Sequence, residues 1–372
     1  MWNDMHWLSL DPVDSCFFRD GRPMHMGESS VTASESVFPP SPLTTGGAMR
    51  AALARANGWT QGRSWPEGLR PVLGVDEELG SARFAGPFLT RGADLLFPCP
   101  LHLLGQEEPD TEGTRWTPRA AMRPGPGVHC DLGPDVRLPE LPPEHRGQTG
   151  LKAGEGWFVT TEGMRQILVG QLPEKGQIIP RRNLWTNEYR TGNRLQEDTR
   201  TTGDDALYST RHARARAGTG LVIAAGGLPE GWQLPSGLHP FGGEGRMAEF
   251  VPLPEAPRVP VNGGRPSGCF MLVLLAPLVA RHENLLPGGR VPGLEDAEVV
   301  CVCTGKAARI GGWNFIRRAP LPRRPVYPAG TVIFCRQSLS GSADTVSFMQ
   351  LGESTDYGFG LAVVGTWNDH QE

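Results

Sequence analysis

Glycine and proline together fill more than a fifth of this chain, 49 and 35 of its 372 residues. That usage limits what the chain can fold into. Glycine raises the entropy cost of helix, and proline removes a backbone donor, so many loops, short strands and little helix are expected. A hydrophobic share of 38% is still enough for a packed core, and the length allows two domains of ordinary size. The longest apolar stretch, Cys269–Ala280, contains Pro277, which predicts a buried strand and its exit rather than a membrane span. The start, MWNDMHWLSLDP, has no basic segment followed by an apolar run, so no signal peptide is expected. Seven cysteines without any C-x-x-C spacing point to a reduced cytoplasm and against a disulfide framework or zinc site. Neither a metal nor another cofactor is expected.

The segment VFPPSPLTTGGAMRAAL, residues 37–53, reads as an extended approach stiffened by Pro39, Pro40 and Pro42 that runs into a helix. Thr44 and Thr45 are candidate N-caps, Gly46 and Gly47 allow close approach of a partner, and Arg50 lies one turn in. A helix starting there, near residues 46–57, would aim free N–H groups at an anion. No Lys-Ser/Thr follows the glycines, so it is not a Walker A loop. A helix cap after a proline-rich loop is the structural alternative.

The net charge is −4, yet its distribution favours an anionic partner. Residues 299–343 contain no acid, while Lys306, Arg309, Arg317, Arg318, Arg323, Arg324 and Arg336 supply seven positive charges. Residues 181–216 carry eight arginines against five acids. Arginine is used in place of lysine throughout, which suits bidentate phosphate contacts and stacking on bases. A GC-rich genome would also write arginine for lysine.

Read coarsely, strands are expected at 5–10, 82–89, 93–98, 220–225, 268–275, 298–303, 331–336, 345–351 and 358–367. A second helix is expected at 160–169, capped by Thr160 or Thr161. The stretch 105–156, crowded with proline and glycine, reads as a long surface excursion. The early order suggests β-α-β-β-α-β, the ferredoxin-like arrangement, with a second, more decorated copy in the later half. The expected fold class is α+β, with domains at 1–205 and 206–372.

Nine blocks in register bring a family into view: DPVDSCFFRDGRP (11–23), VFPPSPLTTGGAMRAAL (37–53), GPFL (86–89), LFPCP (96–100), GNRLQEDTRTTGDDALYSTRHARAR (192–216), FGGEGR (241–246), TGKAARIGGWN (304–314), PVYPAGTVIF (325–334) and DYGFGLAVVGTW (356–367). The chain resembles the third subunits of the Cmr complex, RAMP-superfamily proteins of type III-B CRISPR effectors. The resemblance implies two ferredoxin-like (RRM-like) RAMP domains and a non-catalytic role in antiviral defence. Such a subunit grips the 5′ repeat-derived tag of the CRISPR RNA (crRNA). It docks to a Cas10-type large subunit and to a RAMP backbone subunit, with no membrane partner.

The candidate RNA contacts divide among five places. Thr44, Thr45, Gly46, Gly47 and Arg50 form the first, and Arg19 and Arg22, which flank Asp20-Gly21, the second. Gly242, Gly243 and Arg246 form a turn in which Glu244 could accept from a base or pair internally. Gly311, Gly312 and Trp313, with Arg317 and Arg318, combine an aromatic platform with charge, although Trp313 could equally be core. Gly358 and Gly360 resemble the glycine-rich loop of RAMP domains, or a plain tight turn.

Two other classes stay open. A RAMP endoribonuclease processing precursor crRNA could use His25 as a general base near a 2′-hydroxyl, whereas Asp14 and Asp20 do not sit in the pattern of the loop Asp that backbone subunits use for cleavage. An adaptor would bind protein alone. A small-molecule hydrolase is disfavoured, because G-x-S-x-G and H-E-x-x-H are absent. Cys301, Cys303 and Cys335 read as core residues.

Overall fold

A computed structural model describes residues 4–19, 34–111, 113–195, 202–260, 268–314, 319–337 and 348–367. In chain order, the organising elements begin with strand β1 (His6–Pro12), helix α1 (Pro42–Ala56), the short helix α2 (Arg70–Leu73), strand β2 (Arg83–Arg91) and helix α3 (Thr161–Leu168). They continue with β3 (Trp185–Leu195), β4 (Thr202–Ala215), β5 (Thr219–Gly226) and β6 (Met247–Pro252). The last four are β7 (Cys269–Leu274), β8 (Ala297–Cys303), β9 (Val332–Gln337) and β10 (Leu361–Thr366).

The chain forms two compact units that interleave. One takes Met1–Gly92, Leu184–Ala256 and Arg309–Arg324; the other takes Ala93–Asn183, Pro257–Ala308 and Pro325–Glu372. Consecutive domains at 1–205 and 206–372 were expected, but the strands that pair lie too far apart in sequence for one boundary to separate them.

In the first unit β1 is central. It pairs antiparallel with β5 (Leu8 opposite Ile223) and with β6 (Leu10 opposite Phe250), and β2 pairs outside β5. Leu8, Leu10, Ile223 and Phe250 are fully buried. Helix α1 contacts β2 and buries Met49, Ala52 and Leu53, an i, i+3, i+4 stripe. A long hairpin, β3 with β4, extends this unit, with Tyr189 opposite Arg211.

The α1 start corrects the expectation from sequence. Ser41, not Thr44 or Thr45, is the N-cap; its Oγ accepts from the Thr44 N–H at 3.2 Å, and Pro42 occupies the first turn. Gly46 and Gly47 therefore lie inside the helix rather than at its mouth.

The second unit repeats the strand order. β7 is central, pairing antiparallel with β9 and β10, and β8 pairs outside β9. Phe270, Leu272, Leu274, Val299, Ile333 and Ala362 share one core cluster. Where α1 follows β1, no α-helix lies between β7 and β8: Pro277, Pro287 and Pro292 break the segment, leaving there only the 3-10 turn His282–Leu285. The expected second helix is present as α3, with the Thr160 hydroxyl accepting from the Gly163 N–H at 3.2 Å.

The stretch 105–156 is not an irregular excursion. It is built largely of two hairpins, Leu103–Asp110 with Gly113–Ala121 and Arg123–Cys130 with Gly133–Glu140. Cross-strand pairs Arg119–Glu108 (2.6 Å) and Arg115–Asp110 (2.5 Å) brace the first.

Candidate nucleic-acid interface

The first unit gathers five charged side chains from three distant segments. The Asp14 carboxylate accepts from Arg190 (2.7 Å), Arg214 (2.7 Å) and Arg246 (2.9 Å). Glu188 accepts from Arg190 (2.7 Å) and Arg214 (2.5 Å). Three guanidiniums against two carboxylates leave one positive charge. Hydrogen bonds from Arg190 and Arg214, helped by their charge, hold the Asp14 carboxyl down to about 2.

The sign of the resulting pH dependence follows. A carboxyl whose folded value lies below its ordinary 3.8 contributes stability above that value and loses it as pH falls toward about 2. With Asp14 39% exposed, solvent screening limits this to about 1 kcal/mol. Asp14→Asn should therefore lower the urea midpoint at pH 6 and converge with the parent near pH 2. A constant gap across that range would mean that packing, not charge, is lost.

Beneath the cluster lies His212, 1% exposed and bonded to the hydroxyls of Ser15 (3.0 Å) and Thr210 (3.1 Å). Phe17 stacks on its ring at 4.9 Å. Burial first, then Arg246 and Arg190, pushes its pKa down, so the imidazole serves as a neutral structural peg. Ser15 and His212 are 197 residues apart, and nothing in the sequence reading joined them.

The 241–246 turn closes on the protein's own backbone. The Gly243 N–H donates to the Phe17 carbonyl at 2.8 Å, and a Cβ on Gly242, at φ +97°, would stand 2.7 Å from that oxygen. Arg246 reaches Asp14 from here. The α1 start is likewise turned inward. Thr45 is fully buried, with its hydroxyl on the Ser41 carbonyl at 3.1 Å. Arg50 donates to the carbonyls of Leu73 (2.6 Å) and Asp76 (2.6 Å) and lies 4.7 Å over Trp65, fastening the loop after α2. Thr44 is half-buried, Gly46 is buried and Gly47 is exposed.

Trp313 points outward. It is 48% exposed and pairs with Pro320 in a short hairpin, Trp313–Asn314 with Ala319–Pro320. A Cβ on Gly312 would stand 2.9 Å from Leu43, and one on Gly311 would stand 3.1 Å from Arg323, so both glycines let this hairpin lie close to its neighbours. Tyr189 is 69% exposed, and the Arg211 guanidinium lies 6.0 Å from its ring centre. The sequence reading counted the arginines of 181–216 but missed this ring. Alternation along the two strands, Asn187 and Tyr189 facing Ala213 and Arg211, was the available signal. Arg19 is exposed and bridges to Ser36 through the backbone. Asp20, Arg22, His25, Arg317 and Arg318 lie outside the described residues.

In the second unit Gly358 and Gly360 are buried, at φ +97° and +66°, where the chain turns into β10. Cys301, Cys303 and Cys335 are buried core thiols, and burial pushes those of Cys301 and Cys335 up to about 12. Among the described residues no helix is long and apolar enough to cross a membrane, and no cluster of three His, Cys, Asp or Glu could hold a metal ion.

No curated protein matches the chain. Among solved structures it is similar to a chain of the type III-B Cmr-beta complex bound to cognate target RNA and AMPPnP, at 16% identity and TM-score 0.48, covering 88% of this chain and 86% of that one. It is also similar to a chain of the Csm3-Csm4 subcomplex of the type III-A interference complex, at 11% identity and TM-score 0.38, covering 98% and 100%. The family model described as CRISPR-associated protein (Cas_Cmr3) matches residues 8–367, nearly the whole chain. The chain thus belongs to the Cmr3 family of CRISPR-associated proteins, RAMP-type subunits of type III-B effector complexes.

Proposed function

We propose that this subunit anchors the 5′ repeat-derived tag of the crRNA, docks to the Cas10-type large subunit and a RAMP backbone subunit in the cytoplasm, and leaves cleavage to its partners. The observation that carries the reading is a pair of exposed aromatic rings on one unit: Trp313, which opens a hairpin in an acid-free basic block, and Tyr189 with its Arg211 neighbour. Stacking on such rings, with arginine supplying charge, is how single-stranded RNA is held without a deep groove. Arg19, Arg22, Arg317 and Arg318 are the accompanying phosphate contacts in this reading. Thr45, Arg50, Gly242, Gly243, Gly358 and Gly360 act through the fold, because each has a packing, backbone-conformation or hydrogen-bonding reason to be what it is. The repeated strand order, first strand between third and fourth and second outside the third, supports two ferredoxin-like domains.

The test is purification of the tagged protein from cells that carry its effector locus, with sequencing of bound RNA and identification of bound proteins. Guides sharing one 5′ tag, released steeply as salt rises, are expected. Tight association with the large subunit but no salt-sensitive RNA would favour the adaptor reading instead.

A further inference from the structure

The sheet of the first unit has two unlike faces where it reaches its edge. Residues directly opposite on neighbouring strands share a face, and successive residues alternate between faces. Leu8, Leu10 and Phe250 share one face and are fully buried. The other face carries Ser9 opposite Val251, Asp11 opposite Glu249, and Glu249 opposite Leu238 on the edge strand Gly237–Pro240. Leu238 is 61% exposed and Val251 40%, and both carboxylates are exposed as well. Val13, 65% exposed, follows the end of β1, its N–H donating to the Met247 carbonyl at 3.2 Å.

Two features set this face apart from a plain solvent surface. Like charges directly opposite one another weaken a sheet, yet Asp11 and Glu249 stand opposed. Asp11 accepts from the Ser9 hydroxyl at 3.1 Å, and neither carboxylate makes an ion pair among the described residues. Exposed aliphatic side chains also flank that pair, where alternation ordinarily places polar ones.

We propose that this face docks a basic amphipathic segment of a partner protein, its lysine or arginine side chains set between Asp11 and Glu249 and its aliphatic ones against Leu238 and Val251. Charge complementarity chooses that occupant. A cation between the carboxylates removes the repulsion that the free protein carries, and the apolar flanks lose their contact with water. A phosphodiester backbone would meet two uncompensated negative charges, so RNA is repelled from this face. The inference rests on the docking half of the proposed function, to which it gives a surface, and is independent of the stacking rings Tyr189 and Trp313.

The experiment measures binding of the full chain to the purified large subunit and to the purified backbone subunit of its effector locus, at low and high salt. One of the two should bind, and more tightly at low salt. Glu249→Lys should weaken that binding about tenfold at low salt and flatten its salt dependence. Its urea midpoint should hold or rise, because the opposed pair becomes one of opposite charge. Leu238→Ser, at an exposed position, should weaken binding severalfold with an unchanged melting temperature. Glu144→Lys, the same charge change at an exposed acid of the other unit, should leave binding as it is. Folded Glu249→Lys and Leu238→Ser proteins that both bind like the parent overturn this surface and leave the docking reading standing. A parent that binds neither subunit overturns the docking reading and this inference with it. Equal weakening by Glu144→Lys would mean general charge rather than this face. Competition by an unstructured RNA would make RNA the occupant, and parent dimers abolished by Leu238→Ser would make it a second copy; each result overturns the proposal.

Discussion

Replacing Gly360 with alanine should destabilise the second unit by about 2–5 kcal/mol, a large part of the ~5–15 kcal/mol that holds a typical domain together. Two costs add. The backbone there sits at φ +66°, where a side chain costs about 1–2 kcal/mol. A Cβ would also stand 1.7 Å from the Leu351 carbonyl oxygen and 2.8 Å from its carbon, and neither is free to yield. The Gly360 N–H donates to Pro277 at 2.8 Å while its carbonyl accepts from Leu351 at 3.0 Å, so the strand cannot swing aside without breaking both bonds. Gly58, at φ +92° with nothing within 4 Å of a Cβ, is the matched control and should lose only the backbone part. Urea melts of the two variants measure the difference. A Gly360→Ala protein as stable as the Gly58→Ala protein, but deficient in RNA, would return Gly360 to the list of contact residues.

Trp313→Ala combined with Tyr189→Ala should reduce RNA affinity roughly fivefold to a hundredfold for each ring that stacks a base, from about 1–3 kcal/mol per stacked base. Neither ring belongs to the buried core, Tyr189 being mostly exposed and Trp313 about half, so neither truncation opens a core cavity, and the melting temperature should hardly move. The salt slope separates the kinds of contact. Removing a ring should shift affinity at every salt concentration and leave the slope unchanged. Arg211→Ala should flatten the slope by about one phosphate contact. Unchanged affinity in the double variant would remove the observation on which the tag-anchoring reading stands.

What the sequence disclosed, and what it hid, follows from the range of the interactions involved. The apolar runs at 269–274, 297–303, 332–337 and 361–366 announced their strands, because burial on both faces writes a largely continuous apolar string. Thr160 announced α3, because capping is local. The same local logic erred at α1 by one turn, since Ser41-Pro42 and Thr44-Thr45 both satisfy the rule and only the fold chooses between them. The hairpins at 103–140 were hidden because their prolines and glycines mimic loop. The inward use of Arg50 and the Asp14 cluster was illegible for a different reason. Arg50 finds its carbonyl partners 23 and 26 residues away, and Asp14 meets Arg190 across 176 residues, spacings that no periodicity records.

The placement of β1 also dictates when the protein can fold. Its two partners are β5, which begins at Thr219, and β6, which ends at Pro252, so once made this strand must wait for more than 200 further residues. At about 5–20 residues per second that is on the order of 10–40 s. Throughout that interval Trp7, Leu8 and Leu10 stand on a strand with both edges unpaired, the condition that invites pairing with other nascent chains. Ribosome-bound chains stalled before Thr219 should therefore hold β1 unfolded and depend on chaperones for solubility. Yield in a heterologous host should therefore respond to holdase supply and to slower initiation.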